Sequence, residues 1–242
     1  MAWTDWIWAI ICPIIAYFIG SIPFSYIINK WRTGVDLRAS GNKNVGGLNV
    51  MIQSGFIWGI LAGGLDFYKG LMCILAALII PFNNDPLFEA GNYGFISWHM
   101  LIYIFVAMAV ILGHNYPIFL NFQGGRGIAA IVGFLMVTNP ILLMIFIFSM
   151  MIFGLITKSV RPAQFIALFV GIPIAFFLPL FPPWFYLTQL DGGLFLGFFT
   201  IGISLVIFPK YLKSFIDLFK GKEYRIGKTG GVILANDIEK KE

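Results

Sequence analysis

The chain reads as an all-α integral membrane protein of seven transmembrane helices, with its N-terminus outside and its C-terminus cytoplasmic. Composition is the first reason. Its 242 residues are 59% hydrophobic and only 11% charged, where soluble domains carry about a quarter charged residues, and its mean hydropathy is +0.88. Charge placement is the second. All sixteen Lys and Arg can be laid on one side of a bilayer, and the segments that must face the other side carry Asp5, Asp85, Glu89 and Asp191 without a single cation. Cytoplasmic loops concentrate Lys and Arg, so the asymmetry sets the topology and makes the cytoplasmic face the one that meets anions.

A bilayer core of roughly 30 Å takes about 20 apolar residues in a helix. The segments that qualify are 6–29, 56–80, 97–112, 128–138, 141–157, 164–181 and 194–208. The fourth is short, and Asn139-Pro140 marks the turn that separates it from the fifth, because a residue before proline is driven out of the helical region. Merging the two would place Arg126 and the Lys158/Arg161 turn on opposite faces, so the charges favour seven crossings. The N-terminus has no basic region ahead of its apolar run and does not read as a cleaved signal peptide.

Residues 1–227 form a single membrane domain by this reading. Residues 228–242 lose apolar content and read as a flexible cytoplasmic tail. The outer loops, 81–96 and 182–193, are rich in Pro, Asn, Gly and aromatics, as interfacial caps should be. Cys12 and Cys73 fall inside spans and read as packing residues. The stripe Gly55-x-x-x-Gly59-x-x-x-Gly63-Gly64 reads as a surface for close helix packing. A net charge of +5 could suit nucleic acid, but these cations flank apolar spans, so anionic headgroups or a phosphorylated substrate fit better.

Four constellations could carry chemistry. The loop 34–49 packs glycines and asparagines around Arg38 and Lys43 next to the membrane. Glycine lets backbone N–H groups turn inward, and the two cations can neutralise a phosphate; a water-facing connecting loop is the equal alternative. The segment 113–127 ends in Gly124-Gly125-Arg126-Gly127 and runs into a helix, a plausible anion site at a helix N-terminus. It fits neither the P-loop nor the dinucleotide fingerprint. Asp66 and Lys69 lie three residues apart inside the second span, where charges pair with one another or serve a site. The Lys158-Ser159-Val160-Arg161 turn adds a hydroxyl and two cations to an inside loop. His114 is either a structural residue at a helix end or a base. His99 and His114 are expected on different helices at opposite faces, so metal chemistry lacks ligands, and neither a metal nor a cofactor is expected.

Taken in order, these residues resemble a family. Gly20-Ser21-Ile22-Pro23-Phe24, Asp36-Leu37-Arg38, Gly41 to Asn49, Asp66 with Lys69-Gly70, and Gly113-His114 through Pro117 to Phe122 and Gly124-Gly125-Arg126-Gly127 are similar to the PlsY-type acyl-phosphate:glycerol-3-phosphate acyltransferases. The resemblance runs from Ile19 to about Ile226. It implies a seven-helix protein of the bacterial inner membrane that moves an acyl chain from acyl phosphate to glycerol 3-phosphate, making lysophosphatidic acid for phospholipid synthesis without coenzyme A.

On that resemblance Arg38, Lys43, Asn44, Lys69 and Arg126 bind substrate phosphates, Gly41, Gly46, Gly124 and Gly125 permit close backbone approach, and Ser159 hydrogen-bonds phosphate. His114 and Ser159 are the catalytic candidates. The pattern departs from the family in three places. Asn42-Lys43 and Gly47-Leu48 replace Ser-Gly and Ala-Thr in the first motif. Gln123 and Arg126 stand where lysines are usual. After the last span, Tyr211, Ser214 and Asp217 occupy the places of a His, an Asn and an Arg. Those last replacements leave open an alternative: a lipid- or phosphate-binding relative, or a subunit of a membrane complex with a protein partner.

Overall fold

The computed structural model describes residues 3–80, 86–89, 95–178, 193–220, 224–226 and 232–234. Its helices are α1 (Trp3–Ser21), α2 (Phe24–Thr33), α3 (Gly47–Ser54), α4 (Phe56–Ile79), α5 (Trp98–Asn115), α6 (Ile128–Thr138), α7 (Pro140–Thr157), α8 (Val160–Phe177) and α9 (Gly193–Phe219). Two short antiparallel hairpins accompany them, β1 (Pro86–Glu89) with β2 (Phe95–Ser97) and β3 (Tyr224–Ile226) with β4 (Val232–Leu234). Among the described residues six helical segments are long and apolar enough to cross a membrane, and α6 is a shorter apolar helix. The protein is an all-α integral membrane protein.

Each expected span contains a helix, and the differences have local causes. The first span breaks at Ile22-Pro23 into α1 and α2, since proline lacks an N–H and disfavours helix at the residue before it. The loop after it is not wholly irregular, because Gly47–Ser54 forms α3. The last helix continues past 208 to Phe219 despite Pro209. At the α6–α7 turn the Asn139 side chain accepts from the Leu142 N–H at 2.8 Å and Pro140 takes the first helical position, the arrangement for which proline is suited. The expectation that the two histidines sit on different helices is corrected. Both lie on α5, His99 near its start and His114 near its end, about 22 Å apart by helical rise. The outer loop 182–193 lies outside the described residues except for Gly193, as does the tail 228–242 apart from β4.

α5 is the centre of the bundle and packs against α1, α4 and α9. Its neighbours bury Tyr103, Phe134, Phe195 and Phe199 completely, and the Tyr103 hydroxyl meets Thr138 Oγ1 at 2.9 Å. Outward, Ile57, Ile79 and Leu155 are 76%, 80% and 81% exposed, so apolar residues face out as well as in, which suits lipid and not water. Small residues let the helices approach closely. A Cβ on Gly113 would lie 2.2 Å from the Tyr17 carbonyl oxygen, and one on Gly20 would lie 2.3 Å from that of Val110, so α1 and α5 touch backbone to backbone. Gly59 and Gly63 of the small-residue stripe pack in the same way against Gly47 and Met51 of α3.

Overpacking of this kind costs typically about 1–3 kcal/mol. Gly113→Val should therefore lower the thermal unfolding midpoint of the detergent-solubilised protein. Gly64→Ala, where a Cβ meets nothing within 4 Å, should leave the midpoint unchanged. Equal midpoints for both variants would contradict the close α1–α5 crossing.

Candidate functional site

The break at Pro23 leaves the last carbonyls of α1 without helical partners. A buried lysine takes them up. Lys69 Nζ donates to the carbonyls of Gly20 and Ile22 at 2.9 and 3.2 Å and pairs with Asp66 Oδ1 at 2.9 Å. Two of the ammonium's three donors go to these carbonyls, and the carboxylate faces it as an ion pair. Asp66 in turn accepts from the Ser25 hydroxyl at 2.8 Å, and His114 Nδ1 stands 3.5 Å from Oδ1. Asp66 and Lys69 are each 2% exposed by side chain. The ion pair expected from their spacing is present, and its other partners come from α1, α2 and α5.

Above this cluster the segment after α5 folds back on itself. The Gly124 and Gly125 N–H groups donate to the carbonyls of Asn115 and His114 at 3.1 and 3.0 Å. Gly125 lies so close to the imidazole that a Cβ there would sit 2.2 Å from Nε2; only glycine keeps that nitrogen uncovered. The loop 34–49 is built around Asn49, which is fully buried. Its amide nitrogen, with two N–H groups, reaches the carbonyls of Leu37, Ser40 and Asn44 at 3.0, 3.1 and 3.0 Å, one N–H being shared, and its oxygen accepts from the Asn42 N–H at 3.1 Å. One side chain thus replaces the regular backbone pairing that the loop lacks.

These pieces enclose a half-open cavity of about 320 Å³. The loop contributes Asn42, Asn44 and Gly46; α3 gives Gly47, Leu48 and Met51; and α4 gives Gly59, Gly63 and Asp66. His114 and Arg126 to Ala129 form a second side, and Val160, Arg161 and Gln164 of α8 form a third. The starts of three helices, α3, α6 and α8, therefore meet at one cavity. None of the three has a hydrogen bond from an N-cap side chain. Uncapped N–H groups and helix dipoles favour an anion. Arg161 ties the walls together by donating to the Asn42 carbonyl. Arg126 carries its guanidinium 5.4 Å from the ring centroid of Tyr211, whose hydroxyl donates to Gln164 Oε1 at 2.9 Å.

Of the residues expected from sequence, Asn44, Gly46, His114 and Arg126 line this cavity. Lys69 lies below it in the buried cluster, and Gly124 and Gly125 form the fold over His114. Ser159 is fully buried at the N-cap of α8, one residue before the lining begins. Arg38 is elsewhere. It forms an ion pair with Asp36 at 2.7 Å, donates to the Leu120 carbonyl at 3.3 Å, and lies over the Tyr26 ring. The hydrogen bond from Arg38 holds the Asp36 carboxyl below the usual carboxylate range. Gly41 and Lys43 are exposed on the outer side of the loop, both with positive φ.

Asn42, Asn49, Arg161 and Gln164 were not among the expected site residues. Asn42 and Asn49 stand inside the first motif, and Gln164 follows Arg161 by one helical turn at the polar start of an apolar helix, which is the signal that could have singled them out.

Removing one partner of a buried ion pair leaves an uncompensated charge, at a cost of about 3–5 kcal/mol. Lys69→Met alone and Asp66→Leu alone should each lower the unfolding midpoint sharply, and the double variant should recover much of the loss. A double variant no better than the worse single one would contradict mutual compensation.

Over residues 10–221 the chain matches the family Glycerol-3-phosphate acyltransferase. The glycerol-3-phosphate acyltransferase of Wolbachia pipientis wMel is 30% identical over 213 residues, covering 88% of this chain and 95% of that protein. The corresponding protein of Thermotoga petrophila is 33% identical over 159 residues, covering 66% of this chain and 73% of that one. Among solved structures, PlsY, an integral membrane glycerol 3-phosphate acyltransferase, in its glycerol 3-phosphate form superposes with a TM-score of 0.73 at 29% identity, covering 91% of this chain and 96% of that one. Its lysophosphatidic acid form gives 0.71 at 26% identity, covering 92% and 97%.

Proposed function

The chain belongs to the glycerol-3-phosphate acyltransferase family, and we propose that it transfers an acyl chain from acyl phosphate to glycerol 3-phosphate. The products are lysophosphatidic acid and inorganic phosphate. The placement is a bacterial inner membrane with seven crossings, N-terminus outside, and the cavity opening to the cytoplasm. Residues 1–227 are the membrane domain and 228–242 its tail. The convergence of three uncapped helix N-termini with Arg126 and Arg161 on one cavity carries this reading, because both substrates bring phosphate and the transition state adds negative charge.

Acyl phosphate is already activated, so positioning and electrostatic stabilisation do most of the work. Arg126 and Arg161 hold the phosphoryl groups beside the N–H groups at the starts of α3, α6 and α8. Asn42 and Asn44 orient them, and Gly46 lets the backbone approach. The glycerol hydroxyl attacks the acyl carbon, the carbon–oxygen bond to phosphate breaks, and phosphate leaves. His114 takes the hydroxyl proton: Asp66 stands at Nδ1, which leaves Nε2 beside Gly125 as the basic nitrogen.

Lys69, Gly124 and Gly125 support this base from behind. Ser159 sets the start of α8. Arg38, Lys43 and Gly41 shape the loop 34–49 and attract anions at longer range.

A second reading is a binding protein or complex subunit without turnover, with a membrane-protein partner. Buried Tyr211 and Ser214, standing where the resemblance puts His and Asn, favour it.

The test uses purified protein in detergent with palmitoyl phosphate, with and without glycerol 3-phosphate, following phosphate and lysophosphatidic acid. Release should depend on glycerol 3-phosphate. Arg126→Ala and Arg161→Ala should each lower kcat/KM by about 10²–10³-fold, as loss of a preorganised donor does. His114→Ala should lower kcat by about 10²–10⁴-fold. Folded wild-type protein that forms no lysophosphatidic acid but co-purifies with a stoichiometric membrane protein would replace the first reading with the second.

A further inference from the structure

We propose that Gln164 is a phosphate-contacting residue of the cavity and that Tyr211 is the residue that positions it. This rests on the acyltransferase reading above. Tyr211 is fully buried, and its ring stacks on Phe165 with centroids 5.8 Å apart and planes at 18°. The ring therefore has a fixed plane, and its hydroxyl has a fixed direction. That hydroxyl donates to Gln164 Oε1 at 2.9 Å. A buried O–H without an acceptor is strongly disfavoured, and Gln164 Oε1 is the acceptor it has among the described residues.

The consequence falls on the amide. With its oxygen engaged by Tyr211, Gln164 keeps two N–H donors on its nitrogen, and Gln164 lines the cavity. An amide free to turn would present oxygen and nitrogen equally, and its oxygen would repel a phosphate. Tyr211 removes that choice. The same ring lies against the guanidinium of Arg126, whose central carbon is 5.4 Å from the ring centroid, in the range where an aromatic face attracts a cation. One buried side chain thus orients two donors on neighbouring walls, with Arg161 one turn before Gln164 on α8. The ligand this suits is a phosphate monoester group, which both acyl phosphate and glycerol 3-phosphate carry.

KM for each substrate, measured separately, decides which phosphate is held. Gln164→Glu replaces the donor by an anion and should raise KM for one of the two substrates about tenfold or more, with kcat within about threefold. Tyr211→Phe keeps the ring but not the hydroxyl and should raise the same KM by a smaller factor of about three. Tyr211→Leu also releases Arg126 and should lower kcat as well. The pattern of KM against kcat separates positioning from a merely structural role, since loss of folded protein lowers apparent kcat and leaves KM alone.

A second measurement stands apart from turnover. Inorganic phosphate should raise the unfolding midpoint of the wild type and fail to raise that of Gln164→Glu. That result supports the phosphate contact even if the wild type makes no lysophosphatidic acid. Equal stabilisation of both proteins by phosphate, or unchanged KM values in both Gln164→Glu and Tyr211→Phe, overturns the assignment.

Discussion

A single carboxylate buried in an apolar bundle is the constraint on which the rest depends. Asp66 is 2% exposed and draws Ser25, Lys69 and His114 to itself from α2, α4 and α5. A charge at such a place is tolerated only with partners of opposite sign and satisfied hydrogen bonds. Lys69 brings its own requirement, and the Gly20 and Ile22 carbonyls at the Pro23 break meet it. The break between α1 and α2, which costs backbone hydrogen bonds, and the buried ammonium, which needs acceptors, are therefore one feature. His114 takes its orientation from the same carboxylate, and the Gly124–Gly125 turn closes over that histidine. Cluster, helix break and loop stand or fall together.

Above the cluster the backbone leaves regular helix, and the irregular segments line the cavity or are buried in protein. Here the irregularity yields N–H groups. Three helices begin at the cavity with Gly46, Gly127 and Ser159 as their caps, none of which uses a side chain to satisfy the first turn. Asn49 makes this possible by holding the backbone of Leu37, Ser40, Asn42 and Asn44 from within the loop. Lys43 adopts φ of 56°, a left-handed conformation that is costly for a residue with a Cβ. It holds this shape in a loop whose neighbours are fixed by Asn49, so the surrounding structure over-determines it.

Much of this was legible in the sequence, and what was not has a common cause. Spans follow from hydropathy because lipid demands it, and the Asn139-Pro140 stop follows from the covalent geometry of proline. The resemblance placed Asn44, Gly46, His114 and Arg126 in a site, and the cavity gathers those four. Residues whose role depends on a distant partner were not legible. Arg161 looks like an ordinary inside cation until its bond to Asn42, 119 positions away, is seen. Lys69 looks like a phosphate ligand until the Pro23 break supplies its carbonyls. Arg38 looks equally suited to phosphate, yet Asp36, two residues earlier, takes it. Residue type and spacing report what a side chain can do. Only the fold reports what has already engaged it.

The most direct test of the account is a structure of the protein soaked with tungstate, a phosphate mimic whose anomalous scattering marks its position without ambiguity. The account predicts a peak in the cavity among Asn42, Arg126, Arg161 and the start of α6, with the Asp66–Lys69 pair intact beneath it. A peak confined to Arg38 and Lys43 of the loop 34–49, or a Lys69 turned away from Asp66 to hold the anion, would contradict it.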